Sequence, residues 1–73
     1  MKTEMNKIKF VRKYENYREN FYDVIYRSGR VYTYSEPDLP KTIINFVTNA
    51  TKRTEQYDRT STRANKWEMI YEA

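Results

Sequence analysis

The sequence predicts an α+β protein: a small antiparallel sheet in the order β-β-β-α-β, with one helix packed on one face. Three observations carry this. Two β-rich runs, residues 21–27 and 31–35, flank Ser28-Gly29. Residues 39–50 hold one apolar stripe at helical spacing. The segments 7–14 and 66–72 both alternate between apolar and polar positions. At 73 residues, one domain spanning 1–73 is expected. So short a chain buries only about 60% of the surface it exposes when unfolded. With no cysteine or histidine, it has neither a disulfide nor a Cys/His zinc site to staple it. Its stability must come from one core, and the aromatic residues, 16% of the chain, are efficient fillers.

The first element is residues 7–14, KIKFVRKY. Ile8, Phe10 and Tyr14 fall on one parity and Lys7, Lys9 and Lys13 on the other, with Val11 out of phase. This reads as a half-buried strand with a basic outer face. Residues 15–20, ENYREN, have no clean period and read as a turn.

The next two strands form a hairpin about Ser28-Gly29, because glycine supplies the positive φ that a tight turn needs. A three-residue loop with Gly29 left-handed places Tyr22, Val24, Tyr26, Tyr32 and Tyr34 on one face. Asp23, Ile25, Val31 and Thr33 then share the other. A two-residue loop would mix the two sets, since a slip of one residue reverses every side chain.

A helix is expected to start near Pro40, where the missing N–H would be unpaired anyway. Asp38 is placed to cap it or to face its positive end. Leu39, Ile43, Phe46, Val47 and Ala50 form its apolar stripe. Residues 53–65, RTEQYDRTSTRAN, are polar and weakly patterned, and read as a long loop or a short strand plus turn. In the last segment, KWEMIYE, Trp67, Ile70 and Tyr71 also fit helical spacing, but it reads as a strand for its Trp, Ile and Tyr.

Much chemistry is excluded by composition. Without Cys or His there is no thiol nucleophile, imidazole base or ordinary zinc site. A single glycine rules out a glycine-rich phosphate loop. The carboxylates Asp23, Glu55, Asp58, Glu68 and Glu72 show no spacing that demands a shared site and read as surface charge. The expectation is a binding protein rather than an enzyme, with no catalytic residue, cofactor or metal. No segment approaches the roughly 20 apolar residues of a membrane span, and the N-terminus lacks a signal-peptide run. A cytoplasmic location, away from membranes, follows as an expectation.

Net charge is +4, all of it in residues 1–35, where eight Lys/Arg face four Asp/Glu; residues 36–73 carry six of each. Basic residues gather at Lys2, Lys7, Lys9, Arg12 and Lys13, and again at Lys52, Arg53, Arg59, Arg63 and Lys66. Such a balance favours nucleic acid, although a net charge of about 2 to 8 is ordinary for a small soluble domain. The partner-binding residues expected are Lys9, Arg12, Lys13, Tyr17, Arg27, Arg30, Arg53, Tyr57, Arg59 and Arg63: cations for phosphate, tyrosines for stacked bases. Tyr26, Tyr32, Tyr34 and Trp67 are expected in the core.

The run VIYRSGRVYTYSEPDLPKTIINFVTNA resembles the KTSC domain. The matching features are Val24, Tyr26, Gly29, Tyr32, Tyr34, Pro40 and the helix through Ala50. The chain departs from that pattern in having no Cys and no Gly after the helix, where residues 51–62 read TKRTEQYDRTST. The resemblance implies a nucleic-acid association and carries no catalytic residues. Three readings follow. The first is a nucleic-acid-binding module using basic surface patches. The second is a protein inhibitor, of the kind a phage or mobile element encodes, that binds and blocks a host protein. The third is a homodimer joined through an exposed strand edge.

Overall fold

The computed structural model describes residues 5–73; Lys2 of the first basic cluster lies outside them. After a short 3₁₀ turn, Met5–Lys7, come β1 (Ile8–Asn16), β2 (Glu19–Tyr26) and β3 (Val31–Ser35). A second 3₁₀ turn, Glu36–Asp38, leads to α1 (Lys41–Thr48), β4 (Lys52–Tyr57) and β5 (Trp67–Glu72). The sheet has five strands in the order β3-β2-β1-β5-β4, every pairing antiparallel. The class is α+β, but the order is β-β-β-α-β-β: the polar segment 52–57 is a full edge strand. β3 and β4 run in the same direction on opposite edges, so the chain needs a return path between them, and α1 supplies it.

The β2–β3 hairpin has the expected form. The Gly29 N–H donates to the Tyr26 carbonyl and the Tyr26 N–H to the Arg30 carbonyl, both at 2.9 Å. Gly29 has φ +94°, so the loop is Arg27-Ser28-Gly29. The pairs Tyr22↔Tyr34 and Val24↔Tyr32 lie on one face, Asp23↔Thr33 and Ile25↔Val31 on the other.

The first strand differs from its expected phase. A bulge at Lys9 lets two steps along β1 match one along β2, since Ile8 pairs with Tyr26 but Phe10 with Ile25. A bulge resets the alternation. Ile8 and Val11 therefore enter the same face, while Phe10, Arg12 and Tyr14 take the other. Lys13 is not on an outer basic face: it pairs with Tyr22 and holds its ammonium 5.8 Å from that ring's centre. Between β1 and β2 the turn is only Tyr17-Arg18, with Asn16 paired to Glu19. Both turn residues have positive φ, 53° and 64°.

Ile8, Val11, Tyr22 and Val24 of the sheet form one buried cluster with Ile43 and Phe46 of α1. Tyr26, Tyr34, Leu39, Val47 and Tyr71 pack around it. Two expected core residues stand outside. Tyr32, on edge strand β3, is 47% exposed and meets Tyr26 edge-on. Trp67, at the far end of β5, is 52% exposed against Tyr57. Asp38 does not cap α1. Pro40 holds the N-cap position, and the Asp38 carboxylate accepts from the Ser35 hydroxyl at 2.9 Å. Among the described residues no helix is long and apolar enough to cross a membrane.

Candidate functional site

The sheet face opposite the core cluster carries a charge network. Asp23 and Glu68, expected on the surface, are 6% and 4% exposed. Arg12 lies opposite Asp23 in the β1–β2 register. Its Nη2 and Nε donate to one Asp23 oxygen at 2.7 and 3.2 Å. The other Asp23 oxygen accepts from the Thr33 hydroxyl at 2.7 Å and from the Tyr14 hydroxyl at 3.2 Å. Glu68 accepts from Arg63 Nη2 at 3.1 Å and from the Gln56 amide at 3.3 Å, with Arg12 Nε 3.9 Å away. The Arg63 guanidinium lies 4.2 Å from the centre of the Tyr14 ring. Two carboxylates and two guanidinium groups thus cancel inside the fold, as buried charge requires. Burial works to lower the Arg12 pKa, but its hydrogen bond to Asp23 and the charges of Asp23 and Glu68 outweigh it and leave the pKa raised. Burial, then the Asp23 charge, pushes the Tyr14 phenol up.

This network decides which of the expected contact residues are at hand. Arg12 and Arg63 are committed to carboxylates. Arg53 donates to the carbonyls of Val47 and Thr48 at 3.5 and 3.2 Å. It thereby satisfies the C-terminal carbonyls that a helix leaves unpaired. The rest divide between the two ends of the sheet. Lys9, Arg27 and Arg30 gather where β1 and β3 begin and β2 ends, joined there by Lys52 at the start of β4. All four are exposed, and none makes an ion pair among the described residues. Arg27 is steadied by a bond from Nε to the Asn6 carbonyl at 3.1 Å. Glu72, paired with Lys52 in register, places a carboxylate at that end.

At the other end stand Tyr17, Tyr57 and Arg59 with Trp67. Tyr17 is 81% exposed. The Tyr57 and Trp67 rings meet at 5.0 Å and 66°. Beside them is a shallow groove of about 230 Å³. The loop 58–66 is fastened to the sheet by Arg63, by the Ala64 N–H on the Asn16 side chain at 3.4 Å and by the Asn65 amide on Glu15 at 3.2 Å. The Asp58 carboxylate accepts from the Thr60 hydroxyl and N–H, and these bonds hold its pKa below the usual range. Sequence reasoning missed Lys52 as part of the basic end and Trp67 as a surface residue. Strand order supplies the first, and the second follows from the distance between Trp67 and α1 along the sheet.

The chain is thus a small α+β protein on a five-stranded antiparallel sheet, basic at one end and aromatic at the other. No family model matches it, and no curated protein or solved structure is similar to it.

Proposed function

We propose that this is a non-enzymatic, cytoplasmic nucleic-acid-binding protein whose phosphate-binding surface is the basic end of the sheet. The observation that carries this is the placing of Lys9, Arg27, Arg30 and Lys52 at one end of the sheet with no ion pair to any of them among the described residues. Uncompensated surface cations release counterions from phosphate, and this term supplies most sequence-independent affinity. Exposed Tyr32 on the neighbouring edge strand offers a ring on which a base of a single strand can stack. The KTSC-like run of residues 24–50 points the same way. Arg12, Arg53 and Arg63 take no part in this surface.

The test is the double variant Arg27→Ala with Arg30→Ala, measured by melting and by binding to single- and double-stranded oligonucleotides over a salt series. Exposed charges rarely change stability by more than about 0.5 kcal/mol, so the fold is retained. The log–log salt slope should fall by about 1.4 for single strands, or about 1.8 for duplex, when two phosphate contacts are lost. Unchanged affinity and slope would remove the basic end as the contact surface. A second reading, a protein that blocks a host protein, is favoured by exposed Tyr17, Tyr57 and Trp67 at the opposite end, since Tyr and Trp dominate interface hot spots.

A further inference from the structure

The groove at the aromatic end has the opposite chemistry from the basic end. Its floor is Met69 and Tyr71, its wall is Trp67, and its rim carries Glu15, Glu55 and Lys13. Lys13, its ammonium 5.8 Å from the centre of the Tyr22 ring, sets one cation against these two exposed carboxylates, and Glu68 is already paired with Arg63, so the groove keeps a net negative charge. Glu15 accepts only an amide hydrogen bond from Asn65, and Glu55 makes no ion pair among the described residues. β5 lies between the strands that bear these two carboxylates. Glu55 is level with Met69 and Lys13, and Glu15 lies two residues further along, beside Trp67, which places them diagonally, roughly 12 Å apart at the usual strand spacing and rise. A half-exposed indole with one carboxylate beside it and a second across the diagonal is a receptor for a cation, which it holds over the ring face and pairs at the rim. It repels phosphate.

The chain carries a fitting donor. The loop Arg27-Ser28-Gly29 ends a hairpin at the opposite end of the sheet, with Arg27 and Arg30 exposed on either side. We propose that the groove of one copy receives the Arg27–Arg30 hairpin tip of a second copy. Donor and acceptor lie at opposite ends, and the contact proposed, rather than the two-fold pair in which each copy's tip fills the other's groove, is heterologous, one tip in one groove. It leaves a free tip and a free groove after every step, and so builds open chains or rings rather than a closed pair. This goes beyond the nucleic-acid reading and shares Arg27 and Arg30 with it. A tip seated in a groove cannot hold phosphate, so nucleic acid and self-assembly compete.

Sedimentation of the whole chain, without nucleic acid, tests the proposal over a range of protein concentration at low and high salt. The wild type should gain mass beyond the dimer as concentration rises at low salt, and lose it at high salt. The donor-defective variant, Arg27→Ala with Arg30→Ala, and an acceptor-defective variant, Glu15→Gln with Glu55→Gln, should each stay monomeric. An equimolar mixture should form a one-to-one dimer and stop there, because it contains one intact tip and one intact groove. Trp67→Ala is a second acceptor-defective variant, and melting confirms that each is folded. A wild type that is monomeric under all conditions overturns the proposal. So does either variant assembling as the wild type does, which would move the contact to the β3 or β4 edge. Saturable quenching of Trp67 by N-acetyl-arginine amide in a monomeric wild type would give the groove to a foreign protein's cation, also against it. The acceptor-defective variants keep the basic end and should bind oligonucleotides at full strength, so failure of the nucleic-acid reading shows separately.

Discussion

Replacing Glu68 by alanine should destabilise the protein severely, because this buried carboxylate holds the charge network together from beneath the groove. Its side chain is 1% exposed and bonded to Arg63, itself 13% exposed. Breaking a buried ion pair from one side costs about 3–5 kcal/mol because the other charge is left uncompensated. Arg12 suffers little, since it keeps Asp23 at 2.7 Å and loses a partner 3.9 Å away. Arg63 loses its one carboxylate, and its buried Nε already has no partner. Its side chain keeps some exposure to water, so the low end of the range applies, about 3 kcal/mol. That is a factor of roughly one hundred in the folded-to-unfolded ratio, against a total of roughly 4–11 kcal/mol for a chain of this length. The melting temperature should fall by roughly 12–24 °C. Urea unfolding followed through the adjacent Trp67 measures it as a lower midpoint at unchanged slope. Arg63→Ala on top of Glu68→Ala should restore part of the loss, because no charge is then stranded, and the double-mutant cycle should show strong coupling. Glu68→Ala within about 0.5 kcal/mol of wild type, or additive single variants, would refute the claim that this pair fastens the loop.

Other parts of the fold are open to equally direct measurement. Gly29→Val should cost about 1–2 kcal/mol in chemical unfolding, wholly from the backbone at φ +94°, since an added Cβ meets nothing within 4 Å; Gly29→Asn should cost less. The Tyr22 phenol, which donates to Glu36 at 3.2 Å, is pushed up to about 12 by burial and by the Glu36 charge. A folded pKa raised above its unfolded value of about 10 gives stability that is full below pH 10 and lost as pH rises through 12. The upper bound is about 2–3 kcal/mol, and Tyr22→Phe should flatten the alkaline limb of stability against pH. Tyr17→Asn with Arg18→Gly should raise stability by about 1–2 kcal/mol, because both wild-type residues occupy left-handed backbone; a lower melting point would remove strain from that turn.

What the sequence revealed and what it hid have physical reasons. The β2–β3 hairpin was legible because glycine fixes its loop, and the loop fixes which face each tyrosine takes. The helix stripe was legible because Ile43 and Phe46 are core positions at helical spacing. β4 was legible only as one of two readings of residues 53–65, a short strand plus turn or a long loop, because all six of its residues are exposed at an edge, so no buried face imposes alternation. The bulge at Lys9 had no local signal beyond Val11 standing out of phase. The charge network was hidden because Asp23, Arg12 and Glu68 come from three strands, and only the sheet order brings them together. The same order divides the candidate site. It unites Lys9, Arg27 and Arg30, which the sequence had marked, and draws Arg12 and Arg63 of that set inward.

The two hairpin tips carry this argument to the surface. Ser28-Gly29 obeys the rule that positive φ belongs to glycine, and its flanking arginines are free to act without strain. Tyr17-Arg18 breaks the rule twice in succession. Packing does not explain a tyrosine there, since Tyr17 is the most exposed of the large apolar residues among those described, at 81%. Asn-Gly would close the same turn at lower cost. Strain of this kind persists only where the rest of the structure over-determines it, and it gathers at binding and switch regions. The long ladder from Asn16↔Glu19 to Ile8↔Tyr26 supplies that determination. If the strain is kept for what the tip presents, stability there has yielded to the exposed Tyr17 and Arg18. A variant that relaxes the turn should separate the two: the molecule becomes more stable, and any contact made through Tyr17 and Arg18 weakens.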